Sequence, residues 1–323
     1  AHLPWQRMCN LDRWQGPLPT EWLDNQKELQ KFIVDREREL GMKPVLPAFG
    51  GHIPARLKEL YPDIETHDVG TWGGFKEPYT CTFLYPTDPM YARIQKAFMD
   101  EQTRLYGTDH FYGVDCFNEV DPPSFATDSL KLMGKRVYES MADVDPKAIW
   151  VQMGWLFYYR SKLWTNPCIK AYLSGVPKGR MQFLDYYCDF TELWPTTEGF
   201  FGHDFIWCYL GNFGGNTCMA GDHKTVKSRI DNTLANGGKG VKGIGSTLEG
   251  MDVNPYMYEM VFDRAWTQPL SESERIDALA HRRSGHSPQA REAWQILADS
   301  IYVQAINGNR GTLNCARPTL KKW

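Results

Sequence analysis

The sequence contains no apolar run as long as a membrane span, which requires roughly 18 or more consecutive apolar residues. Its eight cysteines include no CxxC pair and no cysteine–histidine spacing typical of zinc ligands, so neither a metal site nor a redox pair is predicted. We expect most of the cysteines to be buried free thiols. No signal peptide precedes Ala1 and no Asn-x-Ser/Thr acceptor occurs, so nothing in the sequence indicates a glycosylating compartment.

An excess of positive charge is also missing. The chain carries 36 basic and 39 acidic residues, for a formal net charge of −3, and the charges are dispersed. Nucleic acids and anionic lipids attract basic patches, so neither is an expected partner. The glycine-rich run from Gly237 to Gly245 lacks the order of a phosphate-binding loop, and no GxSxG serine elbow occurs.

Aromatic residues, by contrast, are abundant. They make up 14% of the 323 residues, and 12 of them are tryptophans. Planar rings with polar edges are suited to stack on sugar rings. Large α/β cores also use tryptophan, so composition alone leaves both interpretations open.

Helical patterns recur along the chain. Asp88 and Pro89 form an N-cap followed by proline at the first helical position, and the helix that they predict stops at Gly107. Similar patterns precede Gly41, run through 130–141 and precede Gly237. The predicted apolar stripes of the first two helices are Trp22, Leu29, Ile33 and Leu40, and Tyr91, Ile94, Phe98 and Leu105.

Strand patterns lie between most of these helices. The runs that predict strands are 43–49, 111–119, 149–155, 181–189, 204–212 and 241–249. Alternating strands and helices predict an α/β fold, with a parallel sheet and helices outside it. Six consecutive βα units favour a (β/α)8 TIM-like barrel over a doubly wound sheet, although six is two strands short of closure.

After Trp266 the pattern becomes helical. Ser287 and Pro288 begin a helix, and no strand is predicted beyond it. We therefore predict a barrel over 1–266 and the beginning of an all-α domain over 267–323.

The run that starts at Phe111 ends on Asn118 and Glu119, and two prolines follow. At the carboxyl end of a buried parallel strand the chain leaves the sheet, so a side chain there faces a cleft. Proline has no backbone donor and fixes φ, so the strand cannot continue. A carboxylate at this place is suited to chemistry, although charged residues at strand ends also serve as helix caps and solvated turns.

Glu249 ends another predicted strand. In a barrel the carboxyl ends of all strands open on one face, so Glu119 and Glu249 can converge. Two facing carboxylates cleave glycosides when one protonates the leaving oxygen and the other attacks the anomeric carbon or activates water. Two strand-end acids can also meet by chance. Further acids near strand ends, which the pattern does not rank below the glutamates, are Asp115, Asp121, Asp185 and Asp252.

Aromatic rings and a histidine accompany the strand ends. Trp155 and Trp207 lie at predicted strand ends, His52 follows the first strand, and Trp72 lies in a glycine-rich segment. Rings beside acids favour a sugar subsite. The alternative for each tryptophan is packing within the barrel, and for His52 it is a hydrogen bond within a loop.

Several blocks of the sequence resemble one family closely, the α-N-acetylglucosaminidases of glycoside hydrolase family 89. The agreement runs in order from about Trp5 to Trp266, and agreement over many blocks is more specific than any single motif. The matching blocks are Val45-Leu-Pro-Ala-Phe-Gly-Gly-His-Ile-Pro54, Phe117-Asn-Glu-Val-Asp-Pro-Pro123, Gly154-Trp-Leu-Phe157, Phe205-Ile-Trp-Cys208, Asn212-Phe-Gly-Gly-Asn216 and Leu248-Glu-Gly250, with the opening Arg7-Met-Cys-Asn-Leu-Asp-Arg-Trp-Gln-Gly-Pro-Leu-Pro19.

The resemblance implies a retaining, exo-acting hydrolase that releases terminal α-linked N-acetylglucosamine (GlcNAc) from heparan-type or mucin-type glycans, with no metal or organic cofactor. Carried over position by position, Glu119 matches the family's general acid/base and Glu249 its nucleophile. A retaining mechanism requires a protonated Glu119, an ionised Glu249 and about 5 to 5.5 Å between the carboxyl groups. The predicted substrate-binding residues are Asn118, Trp155, Trp207, Trp72, Trp5 and His52.

The resemblance also implies more chain than is present here. Family members carry a small N-terminal domain and two barrel strands upstream of the equivalent of Ala1, and their helical domain continues past the equivalent of Trp323. We therefore expect a fragment: a barrel that lacks its first two strands, followed by the start of the helical domain. By the same resemblance we expect a secreted, periplasmic or lysosomal location. The oligomeric state is not indicated.

Two other functions stay open at this point. A catalytically inactive glycan-binding barrel would keep a sugar-stacking surface without turnover. A barrel hydrolase with a different sugar specificity would cleave α-glucosides in preference.

Overall fold

The structure is a computed structural model that describes residues 19–69, 81–215, 219–266 and 268–304. The predictions on Trp5 and Trp72 lie outside the described residues. The chain forms two compact units. The first comprises Ala1–Gln152 and Tyr159–Gln182, and the second comprises Met153–Tyr158 and Phe183–Trp323.

Each of the six predicted strands is present, and each is shorter than predicted. The predicted run from Phe111 to Glu119 forms a strand only as far as Gly113. The strands are β1 (Val45–Pro47), β2 (His52–Ile53), β3 (Thr66–Val69), β4 (Cys81–Leu84), β5 (Phe111–Gly113), β6 (Ile149–Met153), β7 (Met181–Asp185), β8 (Asp204–Tyr209), β9 (Gly221–Asp222), β10 (Val241–Ser246) and β11 (Val303–Gln304).

The predicted helices are also present. Asp88 caps its helix as predicted, because its Oδ1 accepts the backbone N–H of Met90 at 2.7 Å. The α-helices are α1 (Thr20–Glu39), α2 (Arg56–Leu60), α3 (Pro89–Tyr106), α4 (Thr127–Ala142), α5 (Trp155–Tyr159), α6 (Asn166–Ser174), α7 (Glu198–Gly202), α8 (His223–Asn236), α9 (Pro255–Asp263), α10 (Glu272–Ser284) and α11 (Pro288–Ser300).

In the first unit, β1, β5 and β6 form a parallel sheet in that order. Leu46, Tyr112 and Trp150 are paired in register across the three strands, and all three are buried. Helices α4 and α6 approach so closely that a Cβ on Gly134 would lie 2.3 Å from the carbonyl oxygen of Tyr172. This close approach explains the glycine in the middle of α4, where it otherwise weakens a helix.

The first unit also contains an antiparallel sheet that sequence patterns did not predict. Its strand order is β2-β4-β3. Each of these strands is four residues or shorter. Runs of this length are too short to show the alternation of polar and apolar residues that identifies a strand.

In the second unit the order is β7-β8-β10, and β10 runs parallel to β8 with an irregularity between Val241 and Gly243. The prediction that no strand follows the last helix was wrong. β11 follows α11 and pairs in antiparallel fashion with β9. A strand of two residues is too short to show a periodic pattern, and its structure depends on pairing with a distant strand.

Two predicted apolar faces differ from the buried ones. In α1 only Val34 is buried, while Leu29 is 49% exposed and Leu40, which directly follows the helix, is 56% exposed. In α3 Phe98 is 40% exposed, and the buried residues are Tyr91, Gln95, Met99 and Gln102. Gln95 can lie in the core because its Oε1 accepts the backbone N–H of Phe49 at 2.7 Å.

Among the described residues, none of the helices combines the length and the apolar character that a membrane crossing requires.

Candidate active site

The segment between β5 and Glu119 alternates between the core and the edge of the first unit. Val114, Cys116 and Phe117 are buried, whereas Asn118 and Glu119 are partly exposed. Glu119 has a φ of 56°, in the left-handed region that a residue with a side chain seldom adopts. Such backbone strain is concentrated at functional sites, where surrounding structure holds it in place.

Asp115 supplies a second carboxyl group to this segment. The Nε2 of Gln152 donates a hydrogen bond to its Oδ1, while its buried Oδ2 has no partner among the described residues. Burial raises the pKa of Asp115 to about 7; the bond from Gln152 opposes this shift, and the charge of Glu119 adds to it. The carboxyl of Asp115 therefore holds its proton to a higher pH than an exposed aspartate does.

Asn118 carries another buried oxygen. Its Oδ1 has no hydrogen-bond partner among the described residues. A buried amide oxygen without a donor is costly, so it is suited to accept a hydrogen bond from a ligand.

The chain that follows Glu119 is held by an ion pair. The guanidinium of Arg160 donates to both carboxylate oxygens of Asp121, with its Nε 2.9 Å from Oδ1 and its Nη2 against Oδ2. A bidentate pair of this kind fixes orientation as well as distance. Asp121 thereby anchors the loop, and its charge is paired with that of Arg160.

Asp185, another of the candidate acids, is engaged with the backbone. It ends β7 and is fully buried, and its carboxylate accepts the N–H groups of Leu193 and Trp194 at 3.0 to 3.1 Å. Burial raises its pKa to about 7, while these backbone donors oppose the shift. Its role is to shape the loop between β7 and α7.

Glu249 lies in the second unit, three residues beyond β10, and is exposed. Both of its carboxylate oxygens accept hydrogen bonds. The hydroxyl of Tyr186 donates to Oε1 at 3.0 Å, and the backbone N–H of Gly214 donates to Oε2 at 2.5 Å. Two donors on one carboxylate fix its orientation.

Asn212 holds the backbone that carries Glu249. Its Oδ1 accepts the N–H of Glu249 at 2.9 Å, and its Nδ2 donates to the carbonyl oxygens of Gly250 and Asp252 at 3.0 and 3.1 Å. Asn212 is itself only 1% exposed. A buried amide with these partners is a rigid connection between two loops.

Trp155 lies in an aromatic cluster that includes Tyr186, the residue that donates to Glu249. It begins α5 and is partly exposed. Its ring centroid lies 5.0 Å from that of Tyr158, 5.7 Å from those of Tyr186 and Phe213, and 6.2 Å from that of Tyr187. Within the second unit Tyr186 thus contacts two predicted site residues. Its ring packs against Trp155, and its hydroxyl donates to Glu249.

Trp207 has different surroundings. Its side chain is fully buried in β8, and its Nε1 donates to Glu192 Oε1 at 2.8 Å. The same oxygen accepts bonds from Trp194 Nε1 at 3.1 Å and Thr233 Oγ1 at 3.2 Å. This arrangement is typical of a core residue whose polar group has a partner.

His52, in β2 of the first unit, packs edge-on against Phe83 with a centroid distance of 5.4 Å. Burial lowers its pKa to about 4. The imidazole is therefore neutral near pH 7, and it can donate or accept a hydrogen bond but carries no charge.

Sequence reasoning missed Tyr186 and Gly214 as partners of Glu249. Tyr186 directly follows the last residue of β7, but the predicted strand extended to 189 and assigned this tyrosine to the sheet. A predicted strand that ended at Asp185 would have placed Tyr186 at the carboxyl end of the strand, among the candidate site residues. Within the described residues no group of three or more His, Cys, Asp or Glu side chains is arranged to hold a metal ion.

Parallel strands that alternate with helices, with carboxylates and rings beyond the strand ends, are typical of the TIM-barrel fold class. Residues 1–268 match the family model described as the alpha-N-acetylglucosaminidase (NAGLU) tim-barrel domain, which confirms the predicted α/β TIM-like barrel. The chain belongs to this family. The sequence is 37% identical to human alpha-N-acetylglucosaminidase over 99% of the chain, and it spans 44% of that protein's length.

Solved structures give the same result. A family 89 glycoside hydrolase from Clostridium perfringens in complex with PUGNAc matches 94% of this chain and 34% of its own with a TM-score of 0.79 and 27% identity. A variant from the same organism, with two glutamates replaced by glutamine, is in complex with its substrate GlcNAc-α-1,4-galactose. It matches 94% of this chain and 34% of its own with a TM-score of 0.79 and 26% identity.

Proposed function

We propose that this chain carries the two catalytic carboxylates of a retaining exo-α-N-acetylglucosaminidase, with Glu119 as general acid/base and Glu249 as nucleophile. The observation that carries the proposal is the setting of Glu249, whose oxygens both accept hydrogen bonds beside the aromatic cluster of Trp155. The glutamate pair replaced in the substrate complex of the Clostridium perfringens relative supports the same number and type of groups.

The reaction proceeds in two balanced steps. In the first, a carboxylate oxygen of Glu249 bonds to the anomeric carbon while the glycosidic bond breaks, and the leaving oxygen takes the proton of Glu119. In the second, Glu119 removes a proton from water, the water oxygen bonds to the anomeric carbon, and Glu249 is released as a carboxylate. The two inversions together return the α-anomer of GlcNAc.

The substrate we propose is a heparan-type or mucin-type glycan that ends in α-linked GlcNAc. Asn118 supports recognition, because its unpartnered buried oxygen is suited to an N–H or O–H donor of the sugar. Trp155 supports stacking on a sugar face, and His52, Trp72 and Trp5 stay predicted pocket residues. Trp207 was also predicted to line the pocket, but its fully buried ring assigns it to the core. By family resemblance we propose a secreted, periplasmic or lysosomal setting, with the barrel over 1–266 and the start of a helical domain over 267–323.

The test is hydrolysis of an aryl α-N-acetylglucosaminide by the chain, its Glu119→Gln and Glu249→Gln variants, and Glu59→Gln as a control on the exposed helix α2. We expect turnover in the chain and the control, and its loss in both site variants. Proton NMR of the first product should show the α-anomer.

Other outcomes identify the alternatives. The β-anomer as first product would contradict the retaining mechanism. Preference for aryl α-glucosides would favour a different sugar specificity. Glycan binding without turnover would favour the inactive glycan-binding barrel.

A further inference from the structure

We propose that Tyr186 is a positioning residue for the nucleophile: its hydroxyl holds one oxygen of Glu249 so that the carboxylate is presented in a single orientation. The inference rests on the proposed role of Glu249. Its starting point is the 3.0 Å hydrogen bond from the Tyr186 hydroxyl to Glu249 Oε1.

Tyr186 is fixed to the Glu249 segment at two points. The second is its own backbone, because Thr247 Oγ1 donates to the carbonyl oxygen of Tyr186 at 2.6 Å. Thr247 is also tied to β8, since its N–H donates to the carbonyl oxygen of Tyr209 at 3.1 Å. The tyrosine and the glutamate are therefore connected through the backbone as well as through their side chains.

The opposite side of the carboxylate is held by a rigid donor. Gly214 donates its backbone N–H to Oε2 from a turn in which it adopts a φ of 67°, a conformation that favours glycine. Asn212 fixes the backbone N–H of Glu249 itself. Of the two described bonds to the carboxylate, the one from Tyr186 comes from a side chain, so one substitution can remove it without changing the backbone.

The ring of Tyr186 is also supported. It packs against Trp155 at a centroid distance of 5.7 Å and an angle of 61°, so removal of the hydroxyl alone should leave the ring in place. Rigid support of a reacting group is what makes such positioning effective, because small displacements of a nucleophile reduce the rate strongly.

The test compares Tyr186→Phe with Tyr138→Phe, which removes a hydroxyl from a buried tyrosine of α4 in the first unit. The first readout needs no turnover. With 13Cδ-labelled glutamate, the NMR signal of Glu249, assigned through Glu249→Gln, should shift in Tyr186→Phe and stay unchanged in Tyr138→Phe.

The second readout is kinetic. With an aryl α-N-acetylglucosaminide, we expect kcat of Tyr186→Phe to fall about tenfold to a hundredfold while KM stays within about twofold, since a hydrogen bond to a charged group is removed and no sugar contact is lost. If misfolding caused the fall in kcat, the unfolding midpoint would also be lower. Tyr138→Phe shows how much the loss of one tyrosine hydroxyl lowers that midpoint elsewhere in the chain.

The outcomes separate the two proposals. An unshifted Glu249 signal overturns the role of Tyr186, whatever the activity. Unchanged kcat in an active chain overturns it as well. A chain without turnover contradicts the proposed glycosidase activity, while the NMR comparison still decides whether Tyr186 holds Glu249.

Discussion

The two glutamates stand in contrasting surroundings. Glu249 is exposed, yet both of its oxygens accept hydrogen bonds, from Tyr186 and from Gly214. Glu119 follows a short strand on a strained backbone, close to a buried carboxyl oxygen on Asp115 and a buried amide oxygen on Asn118 that have no partners among the described residues.

This difference separates a carboxylate that is held in one orientation from one that lies beside buried polar groups. Two donors fix the orientation of Glu249, which a nucleophile requires. The left-handed backbone of Glu119 is held by the structure around it, as is typical of a functional site. Each of these features can be removed separately.

The largest expected effect comes from the two glutamates themselves. With a 2,4-dinitrophenyl leaving group, which departs without a proton, Glu119→Gln should form the glycosyl-enzyme within about tenfold of the normal rate. With a poor phenol it should lose about 10²- to 10⁴-fold. Glu249→Gln should fail with both, because no covalent bond can form. Pre-steady-state release of the phenol measures each case.

If the two variants depended on the leaving group in the same way, the two glutamates would not have different roles. Equal loss with both leaving groups in Glu119→Gln would contradict its role as an acid. Residual activity of Glu249→Gln comparable to that of the unaltered chain would contradict its role as nucleophile.

The sequence predicted features of these two regions that short, local residue patterns encode, and it missed those that depend on distant segments. The cap and proline at Asp88 and Pro89 located α3, and strand-end reasoning identified both glutamates. The same reasoning placed Glu119 inside a strand that ends at Gly113, because the apolar run continues into the core beyond the sheet. Contacts between distant segments, such as that between Tyr186 and Glu249, leave no local pattern.

The sequence also failed to predict which face of a helix is buried. Phe98 lies in the predicted stripe of α3 but is 40% exposed, while Gln95 is fully buried because the backbone of Phe49 donates to it. Hydrophobicity along one helix does not encode which polar group a neighbouring segment will satisfy.

The next largest effect should separate two tryptophans of the second unit. Trp207→Ala removes a fully buried ring and a hydrogen bond to Glu192, so we expect it to lower the free energy of unfolding by about 3 to 5 kcal/mol. Trp155→Ala, at a partly exposed ring, should cost less stability and raise KM. Urea unfolding and steady-state kinetics measure the two. A larger stability loss in Trp155→Ala would contradict this assignment.

Asn212→Ala should have an intermediate effect on the Glu249 region. It leaves the carbonyl oxygens of Gly250 and Asp252 and the N–H of Glu249 without their partner, at a cost of about 1 to 3 kcal/mol, and it should also lower kcat. Asn236→Ala is the control, since its Nδ2 donates to the exposed Asn232 at the end of α8. Urea unfolding with kinetics tests this, and an unchanged kcat would show that Asn212 serves folding alone.

The smallest effect should appear at Asp115 in the Glu119 region. Its pKa is raised from 3.8 to about 7, so between these values the folded chain keeps a proton that the unfolded chain releases. The stabilisation is full below pH 3.8 and is lost as pH rises to about 7. Burial keeps the neighbouring Cys116 thiol and Tyr172 hydroxyl neutral over this range by raising their pKa values.

Asp115→Asn keeps an acceptor for Gln152 but cannot release a proton. We expect the stability of the unaltered chain to fall from pH 5 to pH 7.5 by about 1 to 2 kcal/mol more than that of the variant, as measured by urea unfolding at both values. Asp185 contributes the same slope to both proteins and cancels, and Asp128→Asn, at the exposed start of α4, should follow the unaltered chain. Parallel pH dependence in Asp115→Asn and the unaltered chain would mean that Asp115 is ionised in the fold, and the contrast between the two glutamates would then rest on Glu249 alone.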